Sequence, residues 1–344
     1  MKFFLSKNQF FLGLFIVQTG SVFIMFQTPL IETAGRDAWI VFIACCALQF
    51  IHLYLYERYH MYFKINQFLQ WMYSAYWLLL VVTFLAYIQK SLSVWAFPLT
   101  PPSVIIGVIV LVTFYANISR PEAVMNLGVL LLPLFPLVFI FLSLATPDLV
   151  WTNLFPMGNI TLNEWGTGLK EAKFAFIGTE LYLFYRAFLL KSEKINVKSL
   201  LKFILTISAF YLITVVYILT FFSLEELKII PEPLVYILKS QEVTFIERLD
   251  LFFIFIWMAW SIITVVYLIF TISMFMKKKT AKSMTIKKVI LHVMLFALPL
   301  IIIEQESIRI SRDILIYGHF LFSIIIPFFV IMINKWRGKN EEKA

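Results

Sequence analysis

Phe174-Ala175-Phe176-Ile177-Gly178-Thr179-Glu180-Leu181-Tyr182-Leu183-Phe184 lies within the stretch Lys170 to Lys191, which is long and apolar enough to cross a bilayer yet carries a polar step near its middle. An ionisable side chain at mid-membrane depth costs several kcal/mol, about 3 on the most lenient scale, so Glu180 is expected to face a cavity or a partner. Gly178 beside it weakens the helix at the same level. The pair predicts a spanning helix broken at a ligand site, as in transporters built from discontinuous helices.

The rest of the chain agrees. Of 344 residues 61% are hydrophobic and only 14% charged, and Phe occurs 37 times, usage that excludes an ordinary soluble domain. The formal charge of +9 is spread between apolar runs instead of forming one patch, so no nucleic acid partner is expected, only membrane lipid. Cys45 and Cys46 are adjacent in an apolar run and read as small core residues. The histidines His52, His60, His292 and His319 are scattered without a metal-ligand spacing, and no nucleophile elbow or phosphate loop occurs. No enzyme, metal site or cofactor is expected; His292 and His319 read as packed, hydrogen-bonded side chains.

Ten apolar runs emerge: Gln9 to Ile31, Trp39 to Tyr56, Met72 to Trp95, Val104 to Ile118, Ala123 to Ala145, Glu171 to Leu190, Phe203 to Phe222, Leu249 to Phe275, Ile286 to Ile303 and Ile314 to Ile333. With a cytoplasmic N-terminus, only Arg36, Lys90, Lys170, Lys173, Lys228, Lys239, Arg248, Arg309 and Arg312 of the 29 basic residues fall outside. The positive-inside rule therefore supports ten all-α spans with both termini cytoplasmic. The run Lys277 to Lys288 reads as a solvated inner loop, and Glu247, Arg248 and Asp250 as an ion-pair cluster at the membrane surface. Glu304, Glu306, Arg309 and Arg312 read as an outer loop of mixed charge.

Thr146 to Lys170 reads as a folded interfacial connection. Ser223 to Thr244, with Pro231, Pro233 and an apolar face at Leu234, Val235 and Leu238, reads as a lid or as a helix resting on headgroups. Dividing the chain five spans plus five, Thr19-Gly20-Ser21 in the first run corresponds to Gly178-Thr179-Glu180 in the sixth. Matching interruptions in two halves point to an inverted-repeat site, here one transmembrane domain with repeats at about 9–145 and 171–333 and a tail at 334–344. A break near Gly20 would leave the N–H groups of Ser21, Val22 and Phe23 free to seat a carboxylate. Carbonyls near Phe176 and Ile177, with Glu180, would accept an ammonium. Phe174, Phe176, Tyr76 and Trp257 are candidates to surround the ligand side chain.

The first-helix run Gly20-Ser-Val-Phe-Ile-Met-Phe-Gln-Thr-Pro29, the segment Asn153-Leu-Phe-Pro156, the Gly178-Thr-Glu180 break and Ile246-Glu-Arg-Leu-Asp-Leu-Phe-Phe-Ile-Phe-Ile-Trp257 resemble the B subunit of the bacterial spore germinant receptors. That family lies in the amino acid, polyamine and organocation transporter superfamily, and the resemblance covers nearly the whole chain. It implies a five-plus-five inverted repeat with broken first and sixth helices, in the inner membrane of the dormant spore. It also implies a small-molecule germinant, an amino acid, bound at Thr19, Gly20, Ser21, Val22, Phe23, Phe176, Ile177, Gly178, Thr179, Glu180, Tyr76 and Trp257, with an A subunit and a lipoprotein C subunit as partners. A working secondary amino acid transporter is the alternative. The fifth run, Ala123 to Ala145, lacks the lysine that some proton-coupled relatives use in place of sodium, which leans toward sensing or toward coupling through Glu180.

Overall fold

The computed structural model describes residues 4–119, 121–241, 247–276 and 281–341. Thr244, Ile246 and Lys277 to Lys279, which fall within stretches named above, lie outside them. α1 (Lys7–Val22) opens with a capping box between Ser6 and Gln9 and is followed by α2 (Gln27–Ala34) across an irregular turn. α3 (Ala38–Tyr59), α4 (Gln67–Trp95) and α5 (Pro102–Ile118) come next. α6 (Pro121–Leu130) and α7 (Phe135–Ser143) flank a 3-10 turn at Leu132–Leu134, where Pro133 and Pro136 each lack the N–H that would continue the ladder.

α8 (Leu162–Phe174) and α9 (Leu181–Arg186) are the two halves of the stretch quoted first. The chain continues through α10 (Val197–Phe221), α11 (Leu224–Leu227), α12 (Pro233–Lys239), α13 (Leu249–Phe275), α14 (Ala281–Ile301), α15 (Gln305–Phe320) and α16 (Ile326–Glu341), the last two joined by a π turn at Leu321–Ile325. No strand occurs among the described residues.

Among the described residues seven helical stretches are long and apolar enough to cross a membrane, and Pro102–Ile118 is a shorter apolar helix. The protein is an all-α, multi-pass membrane protein, the architecture that lets every backbone group in hydrocarbon find a partner within its own segment. The sixth apolar run and the first as far as Val22 fall outside the seven, because each is interrupted and its helical pieces are too short.

The structure moves several boundaries. The sixth element begins at Leu162, inside the interfacial connection, where a Thr161–Glu164 capping box starts α8. That connection is folded, with the Gly158 and Asn159 amides donating to the Asp37 carboxylate at 2.7 to 3.1 Å. The mixed-charge stretch Glu304 to Arg312 is not a loop: Glu304 is the N-cap of α15, and Glu306 and Arg309 pair one turn apart at 2.7 Å. Leu234, Val235 and Leu238 are buried, and α12 packs on α7, α10 and α13, so this segment does not rest on headgroups. Arg248 and Asp250 pair at 2.8 Å as expected, with Asp250 fully buried.

α13 forms the axis. α1 and α4 both pack along it, and α3 packs on α10. At the α1 crossing a Cβ on Gly20 would lie 2.1 Å from Thr264 Oγ1 and 3.0 Å from the Trp260 carbonyl oxygen, so only glycine permits this approach.

Candidate functional site

Gly178 has φ +90°, a conformation side chains resist, and a Cβ there would also meet Val17 Cγ1 at 2.7 Å. The sixth helix therefore breaks where expected, over residues 175–180, and the break is pressed against α1. The first interruption lies farther along than expected. α1 stays helical through Val22, with the Phe23 amide still bonded to Thr19 O at 3.1 Å, and the irregular turn spans residues 23–26. Pro29 explains the shift, because its ring has no N–H for the Met25 carbonyl and would clash with it in a continuous helix. The amides of Ser21, Val22 and Phe23 thus lie within or at the end of α1, and the half-helix end facing the break is the first turn of α2. Gly20 is a packing residue. Thr19 and Ser21 spend their hydroxyls on the Phe15 and Val17 carbonyls, at 2.7 and 2.6 Å.

Around the sixth-helix break the structure gathers a buried polar cluster. Glu180 Oε1 accepts from the Trp77 indole at 2.8 Å. Its Oε2 has no hydrogen-bond partner and lies 3.8 Å from Nδ1 of His319, and neither His319 nitrogen has one either. Both side chains are buried, at 0% and 1% exposure, so these orphaned atoms carry a desolvation cost of about 1–3 kcal/mol each until something meets them. Tyr76, whose hydroxyl is also unpartnered, stacks on Phe322 at 4.6 Å and covers Gly318, next to His319.

Thr179 receives Gln49 Nε2 at 2.8 Å and Gln18 Nε2 at 3.1 Å, and gives its own proton to Phe176 O at 2.5 Å. The Phe176 carbonyl also takes the Thr179 amide at 3.1 Å and is doubly engaged, while the Phe176 ring stacks on Phe42 at 6.0 Å. Ile177 is fully buried in the same turn.

Lys173 was expected at the outer surface. Instead it is 6% exposed, and its ammonium donates to Gln49 Oε1 and, at 3.1 Å, to His52 Nδ1. Because His52 Nδ1 accepts, its proton sits on Nε2 and goes to Ser323 O at 2.8 Å. Ser323 lies in the π turn, which frees carbonyls: Tyr56 also donates to Ser323 O, and Tyr73 donates to Phe322 O at 2.9 Å. Among the described residues no ion pair neutralises Lys173, and no group of three His, Cys, Asp or Glu side chains is placed to hold a metal ion.

A family model described as spore germination protein matches residues 4–310. The chain belongs to that family. No curated protein matches it. In this spore germination protein, then, Thr179 and Glu180 sit at the heart of the buried cluster, with Tyr76 beside them and Phe176, Ile177 and Gly178 forming the turn. Phe23 turns instead into an aromatic group with Phe210, Phe253 and Trp260. Trp257 stands apart, edge-on to Phe84 and Tyr87. Sequence reasoning missed Gln18, Gln49, His52, Trp77 and Lys173. The available signal was their polarity inside apolar runs, the same signal that exposed Glu180.

Above Phe174 the Arg312 guanidinium lies 5.0 Å from the ring centroid and bonds to Glu171. Both ionic side chains are about one-tenth exposed, at 11% and 10%. They line a vestibule of about 540 Å³ formed by the turn after α1, α2, α4, the end of α8, the connection before α12, and α15.

Proposed function

We propose that this germination protein is the membrane subunit of a spore germinant receptor that binds a small nutrient, an amino acid, at the broken sixth helix, and acts with an A subunit and a lipoprotein C subunit. The observation that carries the reading is the Glu180 Oε2 atom, buried, unpartnered and adjacent to a helix break. A ligand ammonium bound there gives it the charge-assisted bond it lacks, and the ligand carboxylate is assigned to the first turn of α2. The fold reading beneath it is ten spans in two inverted halves, 9–145 and 171–333, with 334–344 as a tail, both termini cytoplasmic and the protein in the inner spore membrane. Contacts between α3 and α10, the second and seventh spans, and between α4 and α13, the third and eighth, support it, because exchanging the halves maps each pair onto itself.

Glu180→Gln retains an acceptor for Trp77 but removes the charge. Loss of a charge-assisted bond in a dry site costs about 1.5–3 kcal/mol, so the germinant concentration for half-maximal response should rise about 10- to 150-fold at normal protein abundance. An unchanged dose response at normal abundance sinks the assignment.

The buried Lys173 favours a second reading, a working transporter that couples solute to protons, since it supplies within the sixth element the amine absent from the fifth run. Concentrative uptake of labelled amino acid into proteoliposomes holding this chain alone would establish transport, and its absence would leave sensing.

A further inference from the structure

Glu232, the residue before α12, is 6% exposed and lines the vestibule. Its Oε1 accepts from the Ser91 hydroxyl and its Oε2 from the Trp95 indole, and the Tyr87 hydroxyl stands beside them. These three groups lie at successive turns of one face of α4, with the Tyr87 hydroxyl donating to the Ile24 carbonyl at 3.3 Å. All are neutral, and among the described residues no cation forms an ion pair with Glu232. Lys239 is engaged on the face of the Trp95 ring, 5.5 Å from its centroid. An ionised carboxylate has about four acceptor positions, and these two bonds leave capacity unused. Burial holds the Glu232 carboxyl above the usual carboxylate range, opposed by the hydroxyl and indole donors.

Two further vestibule-lining residues have buried polar atoms without partners, Thr28 Oγ1 in the first turn of α2 and Arg312 Nε in α15. The cleft thus combines a carboxylate that no cation pairs with among the described residues and orphaned polar atoms on other elements, within a volume typical of small-ligand sites. An alkali or alkaline-earth ion would need a shell of oxygens, whereas the walls between these groups include Ile24, Met25 and the Tyr87 ring.

We propose that the vestibule is a second binding site, separate from the break at Glu180, in which Glu232 holds the ammonium group of a small organic amine. The amine lies against α4, and any anionic or acceptor end of the molecule turns toward Arg312. The assignment does not depend on Glu180 binding anything. It gives the protein an outer station for amine solutes and ties their capture to the connection before α12, because Glu232 also fixes that connection to α4.

The test uses the full chain in lipid nanodiscs and the Trp95 indole as reporter, its signal taken as the tryptophan emission difference between the native protein and Trp95→Phe. Ethylammonium chloride should change this signal saturably, and KCl at equal ionic strength should not. Glu232→Gln should abolish the change, Glu232→Asp should weaken apparent affinity at least tenfold while keeping the full amplitude, and Glu180→Gln should leave it intact. A non-saturable response overturns the site, as does the same saturation in Glu232→Gln or with KCl. If Glu232→Gln fails to fold, Glu232→Asp decides: affinity equal to the native protein means that the carboxylate only fastens the connection. Loss of the signal in Glu180→Gln would merge the two sites and overturn their separation.

Discussion

Gly178→Ala places a methyl where two independent features oppose it. At φ +90° a side chain pays a backbone penalty of about 1–2 kcal/mol. The added Cβ also falls 2.7 Å from Cγ1 of Val17, a stiff β-branched side chain that is fully buried and cannot swing away. Overpacking of this kind costs about 1–3 kcal/mol, so Gly178→Ala should destabilise the protein by roughly 2–5 kcal/mol in all. Only the second part involves Val17. Val17→Ala alone removes a buried side chain at about 1.5–3 kcal/mol, but in the double mutant it clears the clash, so the two effects should fall short of additivity by about 1–3 kcal/mol. Thermal unfolding of the four proteins in one detergent, followed by size-exclusion recovery and tryptophan emission, completes the cycle. Strict additivity would refute the α1 contact, and a Gly178→Ala protein as stable as the native one would refute both that contact and the backbone conformation.

Lys173→Met keeps the apolar stem but leaves Gln49 Oε1 and His52 Nδ1 without their donor, so stability should fall by about 1–3 kcal/mol per orphaned atom, with partial recovery in Lys173→Met/Gln49→Leu by the same melt. Gly20→Ala should lower the yield of folded protein, and Thr264→Ala should restore only part of it because the Trp260 carbonyl oxygen still crowds the methyl. Glu171→Gln frees Arg312 above Phe174, and a cysteine at Phe176 should then react faster with a water-soluble maleimide than in the native background. Cysteines placed near Pro231 and near Lys287 should be labelled from opposite faces of the membrane, and labelling from one face would remove the ten-span topology.

The sixth-helix break was legible because Gly178 and Glu180 contradict their apolar surroundings, and no lipid-facing helix tolerates that combination. The first break was legible in kind but not in place: Gly20 drew attention as a glycine beside hydroxyl residues, whereas Pro29 governs the backbone and Gly20 serves the approach to α13. Lys173 misled for a different reason. A charge near the end of an apolar run reads as a loop residue, and its burial depends on Gln49 and His52, more than a hundred positions away, which no local pattern connects to it. The seam between α14 and α15 was hidden likewise, since Glu304 to Arg312 carries the charges of a loop while its pairing with Glu171 across the fold lets it be a helix.

One contact at the far end of the two broken helices sets how the molecule can move. The Leu5 amide bonds to Phe188 O at 2.8 Å and the Leu190 amide bonds to Leu5 O at 3.0 Å, so the segment entering α1 and the segment leaving α9 are laced backbone to backbone. Arg186 and Tyr182 add three bonds to the Glu57 carboxylate on α3, at 2.8 to 3.0 Å. Those ends are therefore one fulcrum. With this point pinned, α2 and α8, which pack on each other, lie beyond the residue 23–26 and 175–180 turns, and a small rotation about those turns becomes a larger swing at Glu32 in α2 and at Leu162, the far end of α8. The two interruptions make a pair of levers sharing one pivot, and the arms beyond them, through Glu32 and Glu171, form part of the vestibule wall.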